Sequence, residues 1–495
     1  MKIKYKYLLL FFSVLLFTIS KGQNTFNNYY QSGKLSMASH IETLSNGSFI
    51  TIGCFKDSLT SQQGAEFRII DIEGKTIKRK RYLFGSTDFS TFYNNKFSVK
   101  INDSKMFISS TTYDSSMMTV MFLCVDINNL DTLFCNRFND GYDYYLSHMF
   151  NVKSNEIWLV GTKFSSTTSF TQRPVIFKYD TLGNLIALKQ FTNYINYDCL
   201  SIDFDIVNAK IYFAGNNFNT SPSGYNIACL DTSGNVLWNK NIVNDDLYFF
   251  NIKAIGNELI CVGNKKVSNI TTNGEHKVAY CKYKVTNGDL IQHKSYAGHF
   301  HQNSFSSFIK LSDNSMVFSG YYGVPPLTTG YKHDGLIFKV NQLGDSLWMR
   351  TFDNFTGYTG ECFFDIKQTN DGGFIMCGAP LFAPTPQSQT WVVKTDSLGL
   401  APGAITVGYN ADDKINATNF DVLVYPNPFN NVFNVKSNAN LNTEVVIKTI
   451  EGKLILQQTL NDFNTTINLN DYAQGIYFAT FKTKAKQKTI KLIKN

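Results

Sequence analysis

Apolar and polar residues alternate along this chain in short bursts, each bounded by Gly, Asn, Asp or Ser, and the bursts recur in a fixed order. One stretch reads SSFIKLSDNSMVFSGYYG over residues 306–323, followed by GLIFKVNQLGDSLWMRTFDN over 335–354. Another reads FFDIKQTNDGGFIMCGAP over 363–380, followed by WVVKTDSLG over 391–399. Period-two alternation puts successive side chains on opposite faces, so the bursts read as strands. The first two strands of a unit are joined by turns such as Ser45-Asn46-Gly47, Asp313-Asn314 and Asn370-Asp371-Gly372. Asn-Gly and Asp-Gly supply the positive φ angles that tight hairpins require. The third and fourth strands are joined by Asp180-Thr181-Leu182-Gly183-Asn184 and its relatives at 231–235 and 341–345.

Aligning the small residue that ends the second strand gives Gly53, Ser109, Gly161, Gly215, Gly263, Gly320 and Gly378, spaced by 48 to 58 residues. Seven units of four antiparallel strands at this period are the pattern of a seven-bladed β-propeller. A row of small sandwiches would need larger units, each with its own core. The last unit lacks a fourth strand after Asp396-Ser397-Leu398-Gly399. Thr25 to Tyr30, spare at the other end, is expected to supply it and close the ring, which removes exposed sheet edges.

The pattern changes near Phe420, where VYPNPFNNVFNVKSN introduces two prolines into strand-forming residues. Further strands follow, with turns at Glu451-Gly452 and between Asn470 and Gly475, and they predict a small antiparallel β-sandwich. Pro426 and Pro428 cannot donate to a ladder, so its first strand is an edge or stops there. The expected class is therefore all-β, with a leader at 1–22, the propeller at 23–400, a linker at 401–419 and the terminal module at 420–495.

Composition changes the picture in three places. Lys2, Lys4 and Lys6 precede an apolar run from Leu8 to Ile19, and Ser20-Lys21-Gly22 offers small residues before Gln23, the layout of a signal peptide. The run is shorter than the ~20 residues a spanning helix needs. The formal charge of +8 sits at the two ends: residues 420–495 hold nine Lys against five acids, the leader holds four Lys, and the body between is neutral. A neutral body has no electrostatic case for nucleic-acid binding. Nine cysteines include no CxxC pair, so zinc-ribbon and thioredoxin chemistry lack their spacing. Cys54, Cys124, Cys229, Cys261, Cys281 and Cys377 lie in apolar runs and read as small hydrophobes, while Cys124 and Cys135 flank one hairpin as a candidate disulfide.

No HExxH, GxSxG, P-loop or EF-hand pattern is present, and neither a metal nor a cofactor is implied. His299-Phe300-His301 is half a metal site with no clear third ligand, and reads more simply as loop histidines. The loops joining second to third strands and blade to blade share one face and are rich in aromatics and acids. Tyr142, Asp143, Tyr197, Asp198 and Asp246 lie there, where tyrosines can stack on sugar rings and carboxylates accept hydroxyl hydrogen bonds. The plainer reading is that Asp caps turns and the aromatics pack between blades. Paired carboxylates also allow glycoside hydrolysis, which depends on a separation that sequence does not give. Asp-Ser/Thr-Leu triplets at 57–59, 131–133, 180–182, 345–347 and 396–398 look like O-glycosylation acceptors, although three of them are also the unit's own turn.

The DGGFI..G and K.D..G phrases over roughly residues 40–400 resemble propeller-like repeats of exported proteins in Bacteroidetes-type bacteria; these motifs are turn grammar and specify no activity. The terminal module resembles the type A C-terminal sorting domain of type IX secretion cargo. The resemblance is carried in order by Tyr425-Pro426-Asn427-Pro428, Glu451-Gly452-Lys453, Gly475-Ile476-Tyr477 and a closing segment containing Lys491 and Lys494. It implies export through the periplasm, recognition by the type IX translocon, removal by a sortase-like peptidase, and attachment to surface lipopolysaccharide or release. The expected protein is thus an extracellular or surface cargo whose propeller binds a glycan or a protein; the alternative is a propeller-type polysaccharide hydrolase or lyase.

Overall fold

The structure is a computed structural model that describes residues 23–30, 35–85, 88–90, 97–114, 117–153, 155–164, 172–191, 198–205, 210–217, 224–233, 235–243, 247–266, 276–296, 303–324, 332–353, 360–381, 389–407, 422–437, 443–460, 464–482 and 487–495. No helix occurs among them.

The first blade runs Leu35–Thr43, Phe49–Lys56, Gln63–Ile70 and Thr76–Tyr82, hydrogen-bonded in chain order from the innermost strand outward. The same order holds for the blades that begin with Asp143–Lys153, Asp198–Asp205, Leu247–Ile255 and Ser304–Lys310. In the second blade the inner strand comes in two pieces, Asp88–Ser90 and Ser98–Lys100, both paired to Lys105–Asp114. The seventh contributes Gly360–Gln368, Phe374–Leu381 and Thr390–Thr395, and its fourth strand is Phe26–Tyr30, antiparallel to Thr390–Thr395. The segment expected to close the ring does so. Seven blades result, the β-propeller anticipated from the pattern.

Close backbone packing explains the aligned small residues. Each described inner strand of the uninterrupted blades carries a register shift, as between Phe363 and Asp365 opposite Gly378. The displaced carbonyl lies against the glycine, and a Cβ on Gly378 would sit 1.9 Å from the Cys362 oxygen. Turn glycines serve a different contact. Gly399, at φ +74°, offers no room for a Cβ because Trp348 on the outer strand of the preceding blade lies 2.7 Å from where it would be. The two tryptophans that recur in outer strands, Trp238 and Trp348, pack in this way under turns of the next blade. At the seam Phe26 and Asn28 take that place against Gly74, so the first strand completes the ring of contacts as well as the sheet. Tyr29 stacks on Trp391 at 5.7 Å, and Trp391 Nε1 donates to Asn27 Oδ1 at 2.7 Å.

Two expectations need correction. Within the stretch read as linker, Ala404–Val407 forms a strand on the outer edge of the sixth blade, antiparallel to Ser346–Phe352. The sequence AITV carries the β-branched residues such an edge accepts. Cys124 and Cys135 form no disulfide: Cys124 pairs with Phe134 and Cys135 with Leu123, so the two thiols are on successive, oppositely facing positions of the ladder. Cys54, Cys124, Cys229, Cys261, Cys281 and Cys377 are buried, as their apolar surroundings suggest.

The terminal module is a sandwich of two sheets. One contains Val422–Tyr425, Val432–Ser437 and Asn464–Asn468; the other is ordered Leu454–Leu460, Thr443–Thr449, Gly475–Lys482 and Gln487–Lys494. Val424, Phe433, Val435, Val445, Ile447, Phe481 and Leu492 fill the space between them. The first strand ends at Tyr425, directly before Pro426, and pairs on one side with Val432–Ser437, as the prolines require.

Candidate functional site

The loop face nominated from sequence is described in part. Tyr197 and Asp246 lie outside the described residues, as do His299-Phe300-His301. Asp198 opens the fourth blade's inner strand and pairs with Asn216. Asp143 is in place: its Oδ1 accepts the backbone N–H of Met118 in the preceding blade at 2.7 Å. Asp88 accepts from Gln63 N at 2.8 Å in the same way one blade earlier. These carboxylates therefore latch neighbouring blades, the capping role weighed above. Tyr142 is different. It is 42% exposed, with the Lys163 ammonium 3.4 Å from its ring centroid. Lys163 also pairs with Asp140 at 3.4 Å, and Asp140 accepts the Tyr144 hydroxyl at 2.8 Å. An open aromatic ring, a cation and a carboxylate thus meet at the mouth of the third blade.

A second set of polar residues went unnoticed in sequence. Immediately after the inner-strand shift, or at the matching place in the split strand, stand His40, Ser98, His148, Ser201, Asn251, Ser307 and Asp365. Each is followed by an apolar residue: Ile41, Val99, Met149, Ile202, Ile252, Phe308 and Ile366. Registering the first strands on the aligned glycines would have revealed this ring of polar positions.

Where the first and last blades meet, the ring becomes an ionic lock. His40 Nδ1 lies 2.6 Å from Asp365 Oδ2, and His40 Nε2 lies 2.9 Å from Glu42 Oε1. Lys367 approaches Glu42 at 3.2 Å and Asp365 at 3.4 Å, and the Ser307 hydroxyl donates to Asp365 Oδ1 at 3.1 Å. Burial alone would push the His40 pKa down, but the Asp365 charge and the hydrogen bonds to both carboxylates lift it above the ordinary value. Burial likewise opposes ionisation of Glu42, yet Lys367 and His40 bring its pKa down to about 2. The Asp365 carboxyl is held well below the carboxylate range against its own desolvation, mainly by Lys367 and His40.

Among the described residues, the carboxylates of Asp334, Asp353 and Glu361 lie within 4.8 Å of one another, close enough to share one cation. Lys332 already brings a positive charge there, 2.5 Å from Asp353 and 3.8 Å from Asp334, and the Tyr29 hydroxyl donates to Glu361 at 2.9 Å. A cavity of about 290 Å³ at the seam is lined by Thr43, Leu44, Phe49, Ile72, Asp371 and Lys394. It lies among the first-to-second and third-to-fourth strand turns, on the face opposite the nominated loops.

In the terminal module, motifs some 65 residues apart converge. Asn427, between the two prolines, donates through Nδ2 to the Lys491 carbonyl at 2.7 Å and accepts Ile493 N–H on Oδ1 at 2.8 Å. Phe429 N–H donates to Ile493 O at 2.9 Å, and Asn495 N–H to Phe429 O at 2.8 Å. The Asn427 side chain thus stands in for a backbone pair beside the last strand. Gly452 holds φ +85° in the turn closed by Thr449 and Lys453, and Gly475 begins its strand at φ +150°. Tyr477 is buried with its hydroxyl on Ala473 O. Lys491 is exposed, whereas Lys494 is buried and its ammonium donates to Tyr472 O at 2.7 Å, so the basic end is only partly a solvated edge.

Residues 423–495 match the family described as the secretion system C-terminal sorting domain. The terminal module is a type IX sorting domain. The sorting domain marks this chain as cargo exported by the type IX system to the cell surface or extracellular space. Comparison with curated proteins finds no match. Solved structures similar to the chain include a prolyl endopeptidase at 10% identity and TM-score 0.42, over 85% of this chain and 55% of the other, so the chain spans about half of that protein's length. The α-L-arabinofuranosidase Arb93A from Fusarium graminearum, seen with an iminosugar inhibitor, is 10% identical at TM-score 0.41, over 76% and 98%. The β-propeller domain of the Trilobed protease from Pyrococcus furiosus is 10% identical at TM-score 0.38, over 73% and 94%. Likeness this distant says nothing of activity.

Proposed function

We propose that the propeller is a glycan- or protein-binding module, delivered outside the cell by the sorting domain. On this reading a leader at residues 1–22 takes the chain to the periplasm and the translocon reads the tail. A sortase-like peptidase then removes the tail, and the product is joined to surface lipopolysaccharide or released. The observation that carries the binding reading is Tyr142, an exposed ring flanked by Lys163 and Asp140 on the loop face. Such a ring stacks on the apolar face of a sugar, or anchors a peptide, while its charged neighbours supply directional hydrogen bonds. Asp143 Oδ1 is engaged between blades.

A glycan array probed with residues 23–419, beside a reducing-sugar assay on the same polysaccharides, tests the reading. Binding without turnover is expected, and Tyr142→Ala should weaken it by roughly tenfold or more, the effect of losing one aromatic anchor. Release of reducing ends, abolished by Asp→Asn changes on the loop face, would favour the polysaccharide-degrading alternative.

A further inference from the structure

Gly475–Lys482 reads GIYFATFK. Its inward residues Tyr477, Ala479 and Phe481 are buried in the sandwich, but Ile476 and Phe478 point outward and are each 37% exposed. A strand with one wet face alternates apolar with polar residues; a run apolar on both faces is the pattern of a strand covered on both sides. The neighbouring strands extend the outer patch. Register places Ile493 beside Ile476, Lys491 and Lys448 on either side of Phe478, and Leu454 beyond Lys448. Leu454 is 52% exposed and Ile493 37% in the full chain. Farther along the same face, Thr480 and Thr489 bond each other at 2.9 Å beside half-buried Val446, so the most exposed apolar residues lie at one end. That end adjoins the Asn427 clamp, which grips the backbone of Lys491 and Ile493.

We infer that this outer face is where the sorting domain docks onto a protein of the secretion machinery, through an apolar partner surface that carries carboxylates. The inference rests on the sorting reading. Charge complementarity selects the occupant: Lys448 and Lys491 stand among the apolar residues, on a module with nine Lys and five acids. Buried apolar anchors supply affinity, and lysines at their edge select an acidic partner and speed the encounter. Exposed apolar patches of this kind on soluble domains mark interaction surfaces.

The test expresses full-length variants in a type IX-competent bacterium and measures extracellular protein. Phe478→Ser with Ile493→Ser, and separately Lys448→Glu with Lys491→Glu, should each cut export at least about tenfold, as expected from losing an interface anchor. Thr489→Ala should leave it unchanged, and all three proteins should still fold, with a single cooperative transition for the sorting domain. Normal export of both double variants, beside periplasmic retention of a chain ending at Asn419, overturns the inference and leaves the sorting reading standing. Normal export of the chain ending at Asn419 overturns both. Two findings would each assign the face to another occupant and overturn the proposal: a dimer of the full chain dispersed by Phe478→Ser, or lipopolysaccharide-vesicle binding lost in the double variants while export stays normal.

Discussion

The propeller and the sorting domain are both built from antiparallel sheets and both tie their ends together, but they place their charged residues differently. At the propeller's closing seam charges are turned inward, at His40, Glu42, Asp365 and Lys367. The first strand is captured by the last blade through Asn27, Tyr29 and Trp391. The sorting domain also joins its ends, through Asn427, but leaves Ile476, Phe478 and Ile493 open to solvent beside lysines. One region buries a charged cluster at its seam, and the other keeps lysines beside apolar residues on an outer face. The contrast teaches that most of the propeller's recognisable motifs belong to its architecture, whereas we propose that the tail's outer surface carries its role.

Removing the closing strand is the strongest way to break this contrast. A protein starting at Ser36 loses Phe26 and Tyr30 from the core, worth roughly 3–6 kcal/mol of apolar burial, and exposes the Thr390–Thr395 edge. It should aggregate in light scattering and melt well below the parent, while the isolated sorting domain melts as before. An unchanged Tm and a monomeric profile would show that the ring does not depend on this strand.

Next in size is the ionic lock. Asp365→Asn leaves His40 and Lys367 short of a buried counter-charge and should destabilise the propeller by about 3–5 kcal/mol in denaturant titrations. The pH dependence follows from the shift directions. His40 has a raised pKa in the folded state, so its contribution is complete below the ordinary value of 6.5 and is lost as pH rises through the folded pKa. Glu42 has a folded pKa of about 2 against an ordinary 4.5, so its contribution is present above 4.5 and is lost as pH falls toward 2. Propeller stability should therefore be greatest between about pH 5 and 6.5 as far as this lock is concerned. His40→Gln should flatten the alkaline slope, and a variant with the parental slope would remove His40 from the account.

The smallest effect is at the clamp. Asn427→Ala removes two hydrogen bonds to the last strand and should cost the sorting domain about 1–3 kcal/mol without moving the propeller transition. A shift in the propeller transition instead would mean that the two regions are not energetically separate.

How legible each region was follows the same division. The blades were readable because hairpin turns and close strand packing demand glycine, at Gly378 and Gly399 among others. The strand at Ala404–Val407 was missed because four residues beyond the last turn carry no period of their own, and pairing with a distant edge supplies their structure. The polar ring was missed because the register shift in each inner strand breaks strict alternation just where the polar residue falls. A loop carboxylate that bonds to a neighbouring blade, as Asp143 does, looks the same in sequence as one that meets a ligand. The sorting motifs were legible because Asn427 and the last strand meet directly, so their spacing records a contact.

The central claim is that residues 420–495 alone carry the export address. The direct measurement fuses them to an inert reporter bearing a standard leader, and follows the extracellular fraction in a type IX-competent bacterium and in a matched strain without the translocon. The reporter should reach the surface or medium in the first strain and remain periplasmic in the second. A reporter that stays in the periplasm of both strains, although its sorting domain is folded, would contradict it.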